Sequence, residues 1–302
     1  MKDNILEAIG DTPLVKLNLN TPALVCAKLE FLNPGGSIKD RAALYMIEQA
    51  EQSGRLKPGG TIIEATSGNQ GIAVAMIGKA KGYKVIIATS AKISDEKRKT
   101  IKAYGADVKV FPCVDNMMSP DSYHGRALEL AKQTPGSCML NQYMDPVNSE
   151  AYYQGLAPEL WQQTGGKLTH FFAAAGTGGT ISGVGKFLKE KNPAIKVIAV
   201  DAENSYYSTG GKPKPYKIEG MGLDFDTPVL WEQYVDEIIP VADEDVLRAA
   251  KELPSKHAIL GGMTCGAVMC ALDKYINTFK TGDYAVLMFP DSGRAYLSKI
   301  DY

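Results

Sequence analysis

Apolar strand-like segments that alternate with helical segments restrict the fold of this chain more than any other feature of its sequence. In residues 61–111 each strand and the helix after it take up about 25 residues. Strands that are apolar along their whole length, rather than at every second residue, are typical of parallel sheets covered by helices on both faces. The sequence therefore predicts an α/β fold with mainly parallel sheets.

The same pattern predicts individual elements along the chain. Strands are predicted at residues 14–17, 24–30, 61–65, 84–89, 108–111, 138–141, 168–175, 195–200, 235–241, 257–260 and 284–289. The main helices are predicted to end near residues 52, 81, 104, 133, 164, 190, 253 and 278. The predicted helix ending near residue 164 begins near residue 149. Residues 203–229 lack periodicity, and a loop of that length in a compact chain is usually functional.

Composition and charge argue against several classes of protein. The chain has 302 residues, of which 45% are hydrophobic and 22% charged, and this is enough for two compact domains. Its 33 basic and 34 acidic residues are spread along the sequence, which predicts no nucleic-acid surface. No apolar run approaches the roughly 20 residues of a membrane span, and the first residues predict no signal peptide.

The five cysteines and three histidines indicate neither a zinc site nor a disulfide framework. The cysteines form no CxxC pair, their number is odd, and the histidines are isolated from one another. We therefore expect no metal and a reducing, cytoplasmic environment. A catalytic Cys–His pair stays open, although most of the cysteines lie in apolar segments that are typical of a core.

Lys39 is the first candidate for chemistry. Pro34 and the two glycines after it interrupt any helix or strand, Ser37 suits a helix N-cap, and a helical pattern begins at Ile38. Lys39 therefore lies in the first turn of a helix, where the helix dipole disfavours an ammonium group. A neutral lysine amine forms Schiff bases. A solvated lysine after a tight turn remains an alternative.

Three turns share one design, in which an apolar strand leads into a loop of small residues that opens a helix. They lie at residues 66–71, 176–180 and 262–266. Such loops present backbone N–H groups and the positive end of a helix to an anion. The glycines and hydroxyls of the 176–180 loop predict a phosphate site. The hydroxyls and amides of the 66–71 loop predict a carboxylate site.

Two nucleotide-binding alternatives can be compared with these turns. A phosphate loop of the Walker type needs a Gly-Lys-Ser/Thr ending, and the sequence contains none. A dinucleotide fingerprint in the 176–180 region would need glycine where Ile181 stands. Asp201 does follow at the end of the next predicted strand, where an acid that binds ribose belongs. A nicotinamide enzyme is therefore disfavoured but stays open.

A phosphate site, a carboxylate site and a Schiff-base lysine together indicate pyridoxal 5′-phosphate with an amino-acid substrate. The segments 33–41, 66–71, 176–180 and 262–266, together with Gln142, resemble the cysteine synthase / cystathionine β-synthase family of fold type II pyridoxal-phosphate enzymes. The resemblance extends from residues 9–15 to residues 294–298. Residues 40–47, 64–77 and 158–171 look most similar to the B-type O-acetylserine sulfhydrylases.

The resemblance implies a role for each matching residue. Lys39 would carry the cofactor and act as the catalytic base, and Asn69 would contact the 3′-oxygen of the cofactor. The residues implied for cofactor binding are Lys39, Asn69, Gly176, Thr177, Gly178, Gly179, Thr180 and Thr264. The residues implied for substrate binding are Thr66, Ser67, Asn69, Gln70, Gln142 and Gly220. Thr264 would face the pyridine nitrogen, where the family usually has serine.

A hydroxyl at that nitrogen makes the cofactor a weaker electron sink than a carboxylate would, which suits elimination better than transamination. The expected reaction is β-replacement through an α-aminoacrylate intermediate, with Lys39 removing and returning the α-proton. The first hypothesis is the synthesis of cysteine from O-acetylserine and sulfide. The alternatives are release of sulfide from cysteine, with water or a thiol as second nucleophile, and cystathionine β-synthase-like activity on serine. A family member that binds without catalysing remains a further alternative.

Three departures from the O-acetylserine sulfhydrylase pattern leave the substrate open. Gln70 replaces the usual threonine, which makes the carboxylate site bulkier and removes a hydroxyl. Cys265 stands where serine is frequent and is interpreted as a packed small residue rather than a redox group. Residues 220–225 are more similar to the cystathionine β-synthase version of this loop. Asp224 is therefore a candidate base for an incoming thiol or water, or a surface acid.

The resemblance also implies two three-layer α/β domains with the cofactor in the cleft between them. Residues 38–146 would form a smaller, mobile domain that carries the carboxylate loop. Residues 1–37 together with 147–302 would form a larger domain that carries the phosphate site. A homodimer and small partners, an amino acid and sulfide or a thiol, are expected. The leaving group and the physiological nucleophile stay open.

Overall fold

Within residues 1–114 and 116–302, which the computed structural model describes, the strands form one six-stranded and one four-stranded sheet. The larger sheet has the strand order β1-β2-β10-β7-β8-β9, and the smaller has the order β5-β4-β3-β6. In chain order the strands are Leu14–Lys16 (β1), Leu24–Leu29 (β2), Thr61–Ala65 (β3), Lys84–Ser90 (β4), Asp107–Phe111 (β5), Ser137–Met139 (β6), His170–Ala174 (β7), Lys196–Ala202 (β8), Glu237–Val241 (β9) and Tyr284–Phe289 (β10).

All strand pairs within these two sheets are parallel except β1 with β2. The central strands are apolar throughout because both of their faces are covered. In β7, Phe171 packs into one hydrophobic core and its neighbour Phe172 into the core on the opposite face. Val286 and Leu287 of β10 divide between the two cores in the same way. The predicted α/β fold class with mainly parallel sheets is confirmed.

Helices alternate with these strands and cover the sheets. In chain order they are Lys39–Gln52 (α1), Asn69–Ala80 (α2), Asp95–Ala103 (α3), Tyr123–Gln133 (α4), Val147–Ala151 (α5), Ala157–Gln163 (α6), Gly179–Lys191 (α7), Asp243–His257 (α8) and Met263–Tyr275 (α9). The widened helical turn Tyr152–Leu156 joins α5 to α6, so the predicted helix over residues 149–164 is interrupted. None of the helices in the described part of the chain combines the length and apolar character that spanning a bilayer requires.

The predicted strand at residues 257–260 is wrong. Helix α8 continues through Pro254 to His257, and it ends at Ala258, whose backbone is left-handed with φ +56°. Proline is tolerated near the end of this helix because only one backbone N–H is lost there. The following segment contributes a single bridge, between Gly261 and Ser292, rather than a strand.

The carboxyl ends of the parallel strands place three loops close together. The 66–71 loop follows β3, the 176–180 loop follows β7, and Asp291 follows β10. In open parallel sheets, ligands bind outside the carboxyl ends of the strands. The two sheets meet at these edges, where the Asn69 amide donates to the Asp291 carboxylate over 2.7 Å. The fold therefore positions one site between the sheets.

Candidate active site

One cavity of about 980 Å³ opens between the two sheets, at the carboxyl ends of β3, β7 and β10. It brings together every residue that the sequence singled out as catalytic, cofactor-binding or substrate-binding. The predicted residues that line it are Lys39, Thr66, Ser67, Asn69, Gln70, Gln142, Gly176, Thr177, Gly178, Gly179, Thr180, Gly220, Asp224 and Thr264. Among the described residues, no cluster of three or more histidine, cysteine or acidic side chains is arranged to hold a metal ion.

Lys39 is the first residue of α1 and faces this cavity. The Ser37 hydroxyl accepts a hydrogen bond from the Lys39 backbone N–H over 3.2 Å, which supports the start of the helix. Burial lowers the pKa of the Lys39 amine to about 8, although the charges of Asp291 and Glu64 act in the opposite direction. A large fraction of this amine is therefore neutral at mildly alkaline pH and available to bond an aldehyde or take a proton.

The 176–180 loop has the shape of an anion site at the start of α7. Gly178 has φ +89°, and a side chain there would lie 2.7 Å from Cβ of Leu230. A Cβ atom at Gly176 would lie 2.5 Å from the carbonyl oxygen of Gly220. Only glycine fits these close approaches. The loop and the first two residues of α7 line the cavity, and the first N–H groups of a helix have no partner within the helix. This arrangement suits a phosphate group.

Hydrogen bonds hold the beginning of the 66–71 loop, which lines the cavity together with Lys39. The Thr66 hydroxyl accepts from the Gly68 N–H over 2.9 Å, and Gln142 donates to the Ala65 carbonyl over 3.0 Å. The Gln70 side chain is buried, yet its Oε1 atom has no hydrogen-bond partner among the described residues. Its Nε2 atom has only the sulfur of Met46, 3.9 Å away. A buried amide with unused capacity fits a polar ligand.

Thr264 is the second residue of α9, and its hydroxyl is buried without a hydrogen-bond partner among the described residues. Its methyl group lies next to Gly220, because a Cβ atom built there would be 3.3 Å from Thr264 Cγ2. An unpaired buried hydroxyl that lines a cavity calls for a partner from a ligand. A neutral hydroxyl, a phosphate loop and a lysine with a lowered pKa together fit pyridoxal 5′-phosphate.

Asp224 faces the same cavity from the loop between β8 and β9. Its Oδ2 atom accepts a hydrogen bond from the Met117 backbone N–H over 2.8 Å. The side chain is partly buried, so the interpretation as a plain surface acid is weakened. One carboxylate oxygen is thus bonded to the backbone of another segment of the cavity lining.

Two other residues that the sequence analysis discussed, Cys265 and Asp201, lie in buried surroundings that indicate a structural role. The Cys265 thiol is fully buried, burial raises its pKa well above the usual range, and its sulfur lies 3.4 Å from the Asp291 carbonyl oxygen. These surroundings are those of a packed, unreactive thiol. Asp201 is buried within β8 and accepts from the Ser208 hydroxyl over 2.9 Å. Its carboxylate is thereby occupied, which removes the main support for a nicotinamide site.

Sequence patterns missed Asp291, Lys97 and Glu219, which also line the cavity. Lys97 of α3 forms an ion pair with Glu219 over 3.0 Å, and its amine lies 3.9 Å above the Tyr296 ring. Asp291 follows β10 at the same carboxyl edge as the two predicted loops. Its position after an apolar strand is the one sequence signal that could have revealed it.

Glu64 of β3 is a fully buried acid next to the carboxylate loop. Its Oε1 atom accepts from the backbone N–H groups of Ala65 and Gln142, over 3.2 Å and 3.3 Å. Burial raises the pKa of its carboxyl group to about 8, although these hydrogen bonds act in the opposite direction. The group is therefore uncharged at neutral pH.

The raised pKa of Glu64 predicts a pH-dependent stability. Its contribution is fully present below the unfolded pKa and is lost as the pH rises through about 8. Glu64→Gln keeps an oxygen for both N–H groups and cannot ionise, so the loss should not occur in this variant. Between pH 6 and pH 9 the stability of the cofactor-free variant relative to wild type should therefore rise by roughly 1–3 kcal/mol in urea unfolding. The exposed Glu244→Gln is the control, and a pH-independent difference for Glu64→Gln would contradict the assignment.

A family model described as pyridoxal-phosphate dependent enzyme matches residues 5–291. The chain belongs to this family. Cystathionine beta-synthase from Apis mellifera is 44% identical over 306 residues, and the match covers 98% of this chain and 60% of that protein. Cysteine synthase from Staphylococcus aureus is 40% identical over 300 residues, and the match covers 98% of this chain and 96% of that one. The chain thus spans somewhat more than half of the bee protein.

A solved structure agrees with the fold over the full chain. The O-acetylserine dependent cystathionine beta-synthase from Helicobacter pylori superposes with a TM-score of 0.93 at 36% identity. The superposition covers 100% of this chain and 99% of that one. The resemblance that the motifs indicated is confirmed, and with it the fold type II architecture and the pyridoxal-phosphate cofactor.

Proposed function

We propose that this enzyme catalyses β-replacement on a small amino acid and makes cysteine from O-acetylserine and sulfide. The observation that carries the proposal is that Lys39, a phosphate-type loop and a carboxylate-type loop line the same cavity. The names of the Staphylococcus aureus and Helicobacter pylori relatives support a cysteine-forming reaction and O-acetylserine as first substrate.

The bound cofactor supplies an electron sink that stabilises negative charge at the substrate α-carbon. The chain supplies the remaining parts. Backbone N–H groups and hydroxyls of residues 176–180 would hold the phosphate, and Thr264 would offer its hydroxyl to the ring nitrogen. Thr66, Ser67, Asn69, Gln70, Gln142 and Gly220 surround the substrate carboxylate. The Lys39 amine, with its pKa near 8, takes the α-proton and returns it after the β-substituent has been exchanged.

We also propose that residues 38–146 move as a smaller domain against residues 1–37 and 147–302. Two contacts join the smaller domain to residues 217–225 of the larger domain across the cavity. The Lys97 amine pairs with the Glu219 carboxylate over 3.0 Å, and the Met117 N–H donates to the Asp224 carboxylate over 2.8 Å. Contacts of this kind would close the site over the substrate and exclude water.

The first substrate can be identified from the cofactor spectrum in a stopped-flow instrument. The cofactor-loaded enzyme is mixed with O-acetylserine, O-phosphoserine, serine or cysteine, and sulfide is then added to the product of each reaction. O-acetylserine should change the spectrum fastest, and sulfide should restore it with release of cysteine. The proposal is refuted if none of the four compounds changes the spectrum of the bound cofactor.

A second candidate function is release of sulfide from cysteine, with water or a thiol as second nucleophile. A related candidate function is cystathionine β-synthase-like activity, in which serine is the first substrate. The position of Asp224 in the cavity lining favours these versions, because a carboxylate held there can take the proton of an incoming thiol or water. Under this candidate Asp224 is a catalytic base for the second half-reaction only.

Asp224→Asn separates the two candidates. If Asp224 is a base, the first spectral change should keep its rate while the second half-reaction slows about 100-fold or more. Asp226→Asn is the matched control, since that acid lies two residues away and is exposed. An Asp224→Asn enzyme with an unchanged second rate would remove the catalytic role.

We further propose that the enzyme works in the cytoplasm as a homodimer, on small molecules and not on nucleic acid or membranes. The formal net charge of −1 and the even spread of charged residues support the absence of a nucleic-acid partner. Five cysteines, all of them free, are typical of a reducing compartment. Sedimentation at working concentration tests the oligomeric state.

A further inference from the structure

We propose that Asp291 is a positioning residue that fixes the orientation of the Asn69 side-chain amide toward the 3′-oxygen of the cofactor. This atom, the oxygen on carbon 3 of the ring, is called the 3-oxygen below. This inference depends on the proposed function, because it assumes pyridoxal phosphate in the cavity. It assigns a task to a residue that neither the motifs nor the predicted site includes.

The hydrogen bonds of Asp291 define its orientation. The side chain is only 2% exposed, and its Oδ2 atom accepts from the Asn69 Nδ2 atom over 2.7 Å. The same oxygen accepts a hydrogen bond from the Tyr296 hydroxyl, which is also fully buried. The carboxylate is therefore held by two donors. Tyr296 belongs to the same side of the cavity as Asp291, and Asn69 belongs to the opposite side.

The backbone of Asp291 is anchored to the other two parts of the site. Its carbonyl oxygen accepts from the Gly262 N–H over 3.0 Å, directly before the helix that carries Thr264. It also forms a β-bridge with Ser37, two residues before Lys39. Asp291 thus connects the lysine, the ring-nitrogen hydroxyl and Asn69, three elements that are far apart in the sequence.

The chemistry of an amide explains why Asn69 needs such a partner. An asparagine side chain can rotate by about 180°, which exchanges its NH₂ donor and its carbonyl acceptor. The Asp291 Oδ2 atom is an acceptor for both of its side-chain partners, so it selects the rotamer in which the Asn69 Nδ2 atom points toward it. Nδ2 carries a second N–H, and Asn69 lines the cavity. That second N–H is what an oxygen acceptor on the cofactor ring requires.

Without Asp291 the amide loses this preference and presents its carbonyl oxygen to the ring for part of the time. Two oxygens without a hydrogen between them repel each other, so the contact to the 3-oxygen weakens. The remaining cofactor contacts, at the phosphate loop and at Thr264, do not depend on the amide rotamer. The loss that comes from the amide rotamer should therefore be confined to the 3-oxygen of the cofactor. The charge of Asp291 also raises the pKa of the Lys39 amine, and the loss of that effect should act alike on any cofactor that Lys39 binds.

The test compares two cofactors on cofactor-free enzyme. Dissociation constants are measured by quenching of protein fluorescence for pyridoxal 5′-phosphate and for 3-deoxypyridoxal 5′-phosphate, which lacks the 3-oxygen. Asp291→Ala should weaken binding of the natural cofactor by about 10-fold to 100-fold, the effect of one hydrogen bond to a charged group. Its effect on the 3-deoxy analogue should stay under about 3-fold. Asp291→Asn, which keeps the size of the side chain, should lie between wild type and alanine.

Two further variants make the result specific. In the Asn69→Ala background, Asp291→Asn should cause no additional loss, because the amide it orients is absent. Asp201→Asn, which alters another buried acid outside the cavity lining, should leave both dissociation constants unchanged. Equal losses for both cofactors, or a full loss that persists in the Asn69→Ala background, would overturn the inference. Failure of wild type to bind either cofactor would instead refute the proposed function.

Discussion

Replacing Lys39 with alanine is expected to abolish both turnover and the visible absorption of the bound cofactor. Turnover should fall by about 10³-fold or more, because the same amine holds the cofactor covalently and moves the α-proton. Steady-state assays and absorption spectra of the purified, cofactor-loaded proteins measure the two effects. Lys97→Ala is the comparison: Lys97 also lines the cavity, but we assign it no covalent role, so its variant should keep the absorption band. A Lys39→Ala enzyme that retains both signals would refute the assignment.

The low pKa of Lys39 also predicts that the catalytic amine destabilises the cofactor-free fold. Lys39→Met, which has a similar length and no charge, should be more stable than wild type at pH 7 by roughly 1–3 kcal/mol. The folded protein gives up the proton near pH 8 and the unfolded chain near 10.5, so wild type gains stability over this interval. The advantage of Lys39→Met in urea unfolding should shrink accordingly, and a constant advantage from pH 7 to 10.5 would contradict the lowered pKa.

Arg41→Met is expected to cause the largest loss of stability among single substitutions near the site. The Arg41 guanidinium pairs with Glu30 over 2.7 Å and with Glu159 over 2.8 Å, and Lys28 also pairs with Glu159. The Glu30 side chain is fully buried, so removal of Arg41 leaves its charge without an ion-pair partner among the described residues. Breaking a buried pair in this way costs roughly 3–5 kcal/mol, to be measured by urea unfolding of the cofactor-free protein.

The exposed pair of Arg248 and Asp245 gives a matched control for Arg41→Met. These side chains are 65% and 52% exposed, and Arg248→Met should change stability by less than about 0.5 kcal/mol. Because Arg41 lies two residues after Lys39 in the first turn of α1, its variant should also weaken cofactor binding. A loss of stability no larger than that of Arg248→Met would show that the buried ion pairs do not hold this turn.

Most of the fold follows from local sequence patterns. The strand at residues 61–65 is predicted to the residue, because its apolar run ends abruptly at glycines on one side and at the 66–71 loop on the other. Helix α2 begins at Asn69, inside the 66–71 loop that was predicted to precede it, since the first turn of a helix needs no apolar side chain. The predicted strand at residues 257–260 is wrong because Pro254 looked like the end of a helix that in fact continues to His257.

The candidate site was predictable where its residues share a local motif, as in the 66–71 and 176–180 loops. The contacts that join separate segments were not, because no local pattern encodes them. The ion pair from Lys97 to Glu219 joins residues 122 positions apart, and the hydrogen bond from Asn69 to Asp291 spans 222 positions. Such pairs depend on how the two sheets face each other, which local sequence periodicity does not determine.

The most direct test is to find the residue that binds the cofactor. The enzyme is incubated with pyridoxal 5′-phosphate, reduced with sodium borohydride and digested, and the modified peptide is sequenced by mass spectrometry. The account predicts a phosphopyridoxyl group on Lys39. Labelling of Lys92, Lys97 or Lys299, which also line the cavity, or the absence of any label, would contradict it.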